Sequence, residues 1–273
     1  MLIHMLLQEP QNLWEFRYTG QPLKLNMYVV IGNCESRKDF DLNLLLEHTT
    51  YGCNAMYRDW TPSHLICIDN KMLYEIVASE YPKLNHCWFR NFQLLDPHMY
   101  PVFRSTVAPD IEVIEKENTG YRFAYYGQEI SRVFHDDTHT MDLVEKPVHY
   151  FTWVSEHDKI DVVDDLTHIP MLDSGPLATW ICCEQEKPNT VYLMGFDFNI
   201  NDGKVNNIYK DTDCYAPSYA LPVQAKGWIQ NFEVMFTDHF PEVNFVHIQE
   251  KECFNKEIPN IDTMSMNDFK KLL

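Results

Sequence analysis

Glycine is scarce in this chain, 9 of 273 residues, and no Gly/Ser-rich or Pro-rich linker interrupts it. Without flexible joints the sequence reads as a single domain over 1–273. Long apolar runs are missing as well. No stretch approaches the roughly 18 to 20 apolar residues that span a bilayer. The apolar start, Met1 to Leu7, is interrupted by His4 and lacks the basic region and small-residue cleavage site of a signal peptide. The expectation is a cytoplasmic chain with no membrane span. Cys-x-x-Cys pairs are absent. The eight cysteines (34, 53, 67, 87, 182, 183, 214 and 253) are scattered, which excludes a zinc ribbon and fits reduced, buried thiols. Basic residues are few: 22 Lys+Arg against 40 Asp+Glu give a net charge of −18. That average field repels a nucleic-acid backbone, so nucleic acid ranks low as a partner, although net charge does not decide the chemistry of a local pocket.

What is present is a core-forming chain, 45% apolar and 14% aromatic. Met27 to Ile31 is a short apolar run closed by Gly32-Asn33, the pattern of a buried strand ending in a tight turn. Ser36 then reads as the N-cap of a helix, with Asp39 completing a capping box. Thr49–Asn54 predicts a second strand and Asn54–Asp59 a polar turn or short helix. His64–Ile68 predicts a third strand ending at Asp69, Lys71–Ser79 a helix, and Cys87–Phe89 a fourth strand. From Asp96 to His168 the alternation degrades, which reads as an irregular insertion of short strands and helices. Order returns with a helix from Ser174-Gly175 through Cys183, a strand at Thr190–Met194, a helix over Pro222–Phe240 and a strand at Val243–Ile248. Strands alternating with helices predict an α/β, Rossmann-type domain with a mostly parallel sheet. Its site belongs at the carboxyl ends of the strands.

Four short motifs fall at such ends. Gly32-Asn33-Cys34-Glu35-Ser36 joins strand to helix, where a glycine lets backbone approach a phosphate and the helix start offers unpaired N–H groups. Arg37 and Lys38 add local positive charge. Asn54 closes the second strand with a side chain that both donates and accepts, suited to a base edge or a ribose. Asp173-Ser174-Gly175 opens an apolar helix, again an anion-friendly start or an ordinary cap. Val191 to Phe198 is a buried strand that delivers Asp197 just past its end. His135-Asp-Asp-Thr-His139 and Asp211-Thr-Asp213 have the look of metal ligands, but in a chain with 40 acids such spacings arise by chance.

The order of the four motifs resembles the bacterial lipooligosaccharide sialyltransferases. Their chains run from a strand through GNGPS to a helix, then to a strand ending in C-N, a TSG helix and a strand reading like LSGIDF. The counterparts are Gly32-Asn33-Cys34-Glu35-Ser36, Cys53-Asn54, Asp173-Ser174-Gly175 and Leu193 to Phe198, within roughly residues 27–90 and 170–250. The scaffold is shared with motility-associated sugar transferases and archaeal-type 6-hydroxymethylpterin pyrophosphokinases. The chain also resembles uncharacterised proteins of large tailed phages, whose location is the host cytoplasm.

The resemblance implies a GT-A-like domain holding a nucleotide-sugar donor, with a CMP-sugar favoured and no metal. Gly32, Asn33 and Ser36 would line the nucleotide and phosphate, with Asn54, Ser174 and Gly175 at nucleotide or sugar and Asp197 beneath it. Tyr209 would contact the leaving phosphate, with Tyr215 and Tyr219 as alternatives. A lid over about 200–222 would close the site. Glu35 replaces the family's proline. The family's histidine base has no counterpart in Tyr219 to Gln224, so another histidine (His139, His135, His157 or His168) would have to serve. The expected activity is transfer of a sugar to an acceptor hydroxyl, most naturally on a glycan. The alternatives are a Mg²⁺-dependent pyrophosphokinase using Asp69, Asp197 and Asp211, or a non-catalytic nucleotide-binding or virion-associated protein. A homo-oligomer stays open.

Overall fold

A computed structural model describes residues 26–90, 93–95, 120–135, 140–155, 157–163, 173–198, 204–221 and 225–273. Its main element is an eight-stranded sheet. The strands are β1 (Tyr28–Ile31), β2 (Thr49–Cys53), β3 (His64–Cys67), β4 (Cys87–Arg90), β8 (Ile160–Val163), β9 (Thr190–Met194), β10 (Asn244–Ile248) and β11 (Ile261–Met264). Their order is β11-β10-β9-β1-β2-β3-β4-β8, and every pairing in it is parallel. The chain builds outward from β1 through β2, β3 and β4 to β8, then returns to the other side of β1 for β9 and continues to β10 and β11. The direction of winding therefore reverses between β1 and β9. An open α/β sheet has its ligand crevice at such a reversal, beyond the carboxyl ends of the strands.

The inner strands are buried on both faces, which explains their short, nearly unbroken apolar runs. Val29 and Ile31 face one core, together with Leu65, Cys67 and Met194, and Val30 faces the other, with Ile66, Val191 and Leu193. Helix α1 (Asn70–Ala78) covers the first face through Met72, Leu73, Ile76 and Val77. Helix α4 (Met266–Leu272) adds Phe269 there. The second face is covered by α2 (Ser174–Glu186), through Leu177, Ala178, Ile181 and Cys182, and by α3 (Lys226–Val234), through Phe232. Helix α3 runs on into a π-helical turn, Met235–His239.

Three expectations change. No α-helix follows β1: the chain makes two short 3₁₀ turns, Glu35–Arg37 and Leu42–Leu45, and Ser36 caps nothing. Cys34 stands at the cap position without a side-chain cap bond, while the Arg37 side chain folds back onto the Gly32 carbonyl at 2.6 Å. The described residues of the expected insertion are not short irregular pieces: β6 (Gly120–His135) and β7 (Thr140–Ser155), with β5 (Gln93–Leu95) just ahead of it, form an antiparallel sheet, and β8 belongs to the main sheet. Sixteen residues in each arm give a hairpin about 50 Å long. Polar and aromatic residues follow one another here without a steady alternation, so the period of two that marks a half-buried strand is missing from the sequence. Finally, β8, β11 and α4 carry too little apolar sequence to stand out, being edge strands and a terminal helix.

Candidate functional site

A cavity of about 480 Å³ opens at the reversal point. Its floor comes from Gly32 and Asn33 after β1 and Gly195 after β9. One polar wall comes from Asn54 after β2, Asp69 after β3 and Asp173, Ser174 and Gly175 at the head of α2. Phe196, Phe198, Trp228 and Phe232 form an aromatic wall, and Asn206, Asn207, Cys214 and Tyr215 complete the enclosure. Of the residues singled out from sequence, Gly32, Asn33, Asn54, Asp69, Ser174 and Gly175 meet here. Ser36, Asp197 and Tyr209 do not line the cavity, and His139 and His168 lie outside the described residues.

The expected phosphate cradle is already filled. The Glu35 N–H donates to Asn206 Oδ1 at 2.7 Å and the Ser36 N–H to Asp197 Oδ2 at 3.0 Å. The Gly32 and Cys34 N–H groups donate to the Met194 and Gly195 carbonyls. Asp197 is correspondingly saturated: Oδ2 also accepts from Asn206 Nδ2 at 2.9 Å and Oδ1 from Gln249 Nε2 at 3.1 Å. It clamps the ends of β9 and β10 to the first turn rather than facing a ligand. The glycines serve packing. A Cβ on Gly32 would stand 2.8 Å from Phe196 Cε1 and one on Gly175 would stand 2.6 Å from the same atom.

The unused donors lie elsewhere. Ser174 Oγ accepts from the Ile68 N–H at 3.3 Å and donates to Asn54 Oδ1 at 2.8 Å. That fixes the orientation of the Asn54 amide and leaves its Nδ2 with no acceptor among the described residues. The N–H groups of Asn33, Ser174 and Gly175 are likewise without acceptors among the described residues. Asp173 holds the cap position of α2 with extended backbone and no side-chain cap bond, which leaves the first amides of that helix open. The Asn33 side chain, by contrast, is fully engaged. Its Nδ2 donates to the Cys53 carbonyl at 2.9 Å and to the Tyr215 hydroxyl at 3.4 Å, and its Oδ1 accepts from Arg37 at 3.0 Å.

The tyrosine at the cavity is Tyr215, not Tyr209. Tyr209 is buried at 5% exposure and accepts from Arg37 Nη2 at 3.4 Å. Tyr215 accepts from the Ala55 N–H at 3.3 Å and from Asn33, so its own proton remains to be donated. Burial pushes the Tyr215 hydroxyl well above its ordinary pKa, which keeps that proton in place. Burial also pushes the Cys34 and Cys53 thiols at the cavity up to about 12, so neither is a thiolate nucleophile near neutrality.

Residues 204–221, within the expected lid, are fastened to the body. The Ile208 N–H donates to the Asn33 carbonyl at 2.9 Å, and Lys210 pairs with Glu35 at 2.5 Å. Arg58 bridges Glu75 on α1 at 2.6 Å and reaches Thr212 Oγ1 at 2.8 Å and the Asp213 carbonyl at 3.0 Å. Cys214 Sγ donates to Glu75 at 3.3 Å.

No described histidine lines the cavity. His157 precedes β8, at the opposite end of the sheet, and His135 closes β6 opposite Thr140. His247 is fully buried with Nε2 on the Phe196 carbonyl at 2.8 Å, and burial lowers its pKa. Among the described residues no three metal-ligating groups converge. Asp69 caps α1 through Oδ1, and Asp211 is held by the Ser218 N–H at 2.7 Å outside the cavity. Among the described residues no helix is long and apolar enough to cross a membrane. In comparisons with protein-family models, curated proteins and solved structures, nothing matches this chain.

Proposed function

We propose that the chain binds a nucleotide-activated sugar in the cavity between β1 and β9 and moves the sugar to an acceptor hydroxyl, on a GT-A-like scaffold. One observation carries the reading. Three separate segments bring four donors, Asn54 Nδ2 and the amides of Asn33, Ser174 and Gly175, to one cavity without acceptors among the described residues. Donors fixed in advance around developing negative charge are what phosphate departure requires. The aromatic wall suits the base or the sugar face. Tyr215 is the hydroxyl to hydrogen-bond the leaving phosphate. Asp69, with Oδ1 held by the first amides of α1, has Oδ2 to offer as base in place of the family's histidine.

A second reading has its own support. Among the described residues no Lys, Arg or His lines the cavity, whereas Asp69 and Asp173 do. Mg²⁺ is commonly held by one or two carboxylates together with substrate phosphates. That favours Mg²⁺-assisted diphosphate transfer to a pterin-like alcohol. A thermal-shift panel of CMP-, UDP-, GDP- and ADP-sugars, and ATP with a pterin alcohol, each with Mg²⁺ or with EDTA, separates the two. A sugar nucleotide that raises the melting temperature in EDTA and is then consumed establishes the transferase. Mg²⁺-dependent turnover of ATP establishes the kinase, and no stabilisation by any nucleotide removes both.

A further inference from the structure

Arg37 is the most deeply enclosed cation of the described chain, 4% exposed. It sits directly under the cavity floor. Its Nε donates to the Gly32 carbonyl at 2.6 Å, its Nη2 to Asn33 Oδ1 at 3.0 Å, and its Cδ lies 3.1 Å from where a Cβ on Gly195 would stand. Among the described residues no carboxylate stands within ion-pair distance of it. The nearest link to one runs through the Tyr209 hydroxyl, which accepts from Nη2 at 3.4 Å and lies near exposed Asp59. Asp197, the other acid nearby, commits both oxygens to Ser36, Asn206 and Gln249.

The Gly32 carbonyl and Asn33 Oδ1 are neutral acceptors, so they satisfy the donors of the guanidinium without neutralising its charge, and burying a charge without a counter-ion is unfavourable. Its charge is felt at the Cys53 thiol on the cavity wall, and at Cys34 it works against the stronger influence of Asp197. We infer that Arg37 is the positioning residue that makes this cavity select an anionic group, with a phosphoryl of the ligand resting over the Gly32–Asn33 floor and supplying the missing counter-charge from the other side. The inference rests on the cavity being the ligand site, as proposed above, but not on the ligand being a sugar nucleotide.

The selectivity predicted is for charge. A unit charge held several ångströms away across protein is worth about ten- to a hundredfold in affinity. The test is isothermal titration of the wild type, Arg37→Gln and Arg37→Lys with inorganic pyrophosphate, CMP and cytidine. Pyrophosphate and CMP binding falls by about tenfold or more in Arg37→Gln and returns in part in Arg37→Lys, while cytidine binding is unchanged. A staple without electrostatic purpose would lower all three ligands together. If Arg37→Gln proves unstable, the wild type's preference for CMP over cytidine, and its loss in Arg37→Met, still decide. A wild type that holds CMP no better than cytidine overturns the inference while leaving a nucleoside site standing. Arg37-dependent binding of pyrophosphate with no response to any sugar nucleotide sustains the inference and removes the transferase.

Discussion

Asn54 holds its backbone at φ 52°, in the left-handed region where asparagine is one of the few comfortable non-glycine residues. Its side chain is oriented by Ser174 and its Nδ2 is left for the cavity, so backbone and ligand roles are separable by substitution. Asn54→Gly keeps the turn and removes the amide. Its stability should stay within about 2 kcal/mol of wild type, the loss coming from the Ser174 hydroxyl. Nucleotide affinity should fall about tenfold. Asn54→Ala should lose binding and a further 1 kcal/mol or so, from the strained φ. Denaturant melts beside calorimetric titration check both, and undiminished binding by Asn54→Gly would remove this amide from the site. Gly175 makes the opposite case. Because its missing Cβ would stand 2.6 Å from Phe196 Cε1, Gly175→Ala should destabilise by about 1–3 kcal/mol. Adding Phe196→Leu should recover part of that loss, measured as a non-additive double-mutant cycle. A glycine kept for phosphate approach would show no such coupling.

At the scale of elements, the parts legible in the sequence are those whose burial is simple. β1, β2, β3, β9 and β10 are short apolar runs ended by polar residues because helices cover both of their faces. The turn after β1 was misleading, since Ser36 and Asp39 have the spacing of a capping box. Only the folded chain brings Asp197 and Asn206 round to take the amides that a helix would have needed. The C-terminal helix carries a start signal, since Ser265 caps it through the Asp268 N–H at 3.1 Å, but too little apolar sequence for that signal to stand out. Whether Tyr209 or Tyr215 meets the cavity was not readable. Both lie in one segment, and the left-handed residues Asp211 and Cys214 between them decide which turns inward.

That segment is pinned to α1 through Glu75, and this gives it a pH dependence. Burial alone would raise the Glu75 pKa, but hydrogen bonds from Arg58, Tyr57 and Cys214 outweigh it and hold the carboxyl below its ordinary value of 4.5. A folded-state pKa below the unfolded one means that the contribution is present above the unfolded value and lost as pH falls through the folded one. The wild type should therefore lose more melting temperature on acidification below about pH 4.5 than Glu75→Gln does. Parallel curves for the two proteins would show that the pin adds nothing to stability.

For the whole molecule the central tension is between a net charge of −18 and a cavity assigned to an anion. Surface lysines and arginines usually resolve such a conflict, and their contribution fades as salt is added. Here the favourable charge is Arg37, sealed under the floor, set against Asp69 and Asp173 on the cavity wall and the net negative charge of the chain. Mobile ions screen the exterior over about 10 Å at 0.1 M but reach a buried guanidinium far less. The long-range repulsion of an incoming phosphate should then weaken with ionic strength, while the short-range attraction persists. Affinity for CMP or pyrophosphate should accordingly hold steady or rise between about 50 mM and 500 mM NaCl, with association faster at the higher salt. Titration and stopped-flow binding at the two salts measure this directly. An affinity that drops steeply with salt would assign the anion to exposed cations and away from the floor between β1 and β9.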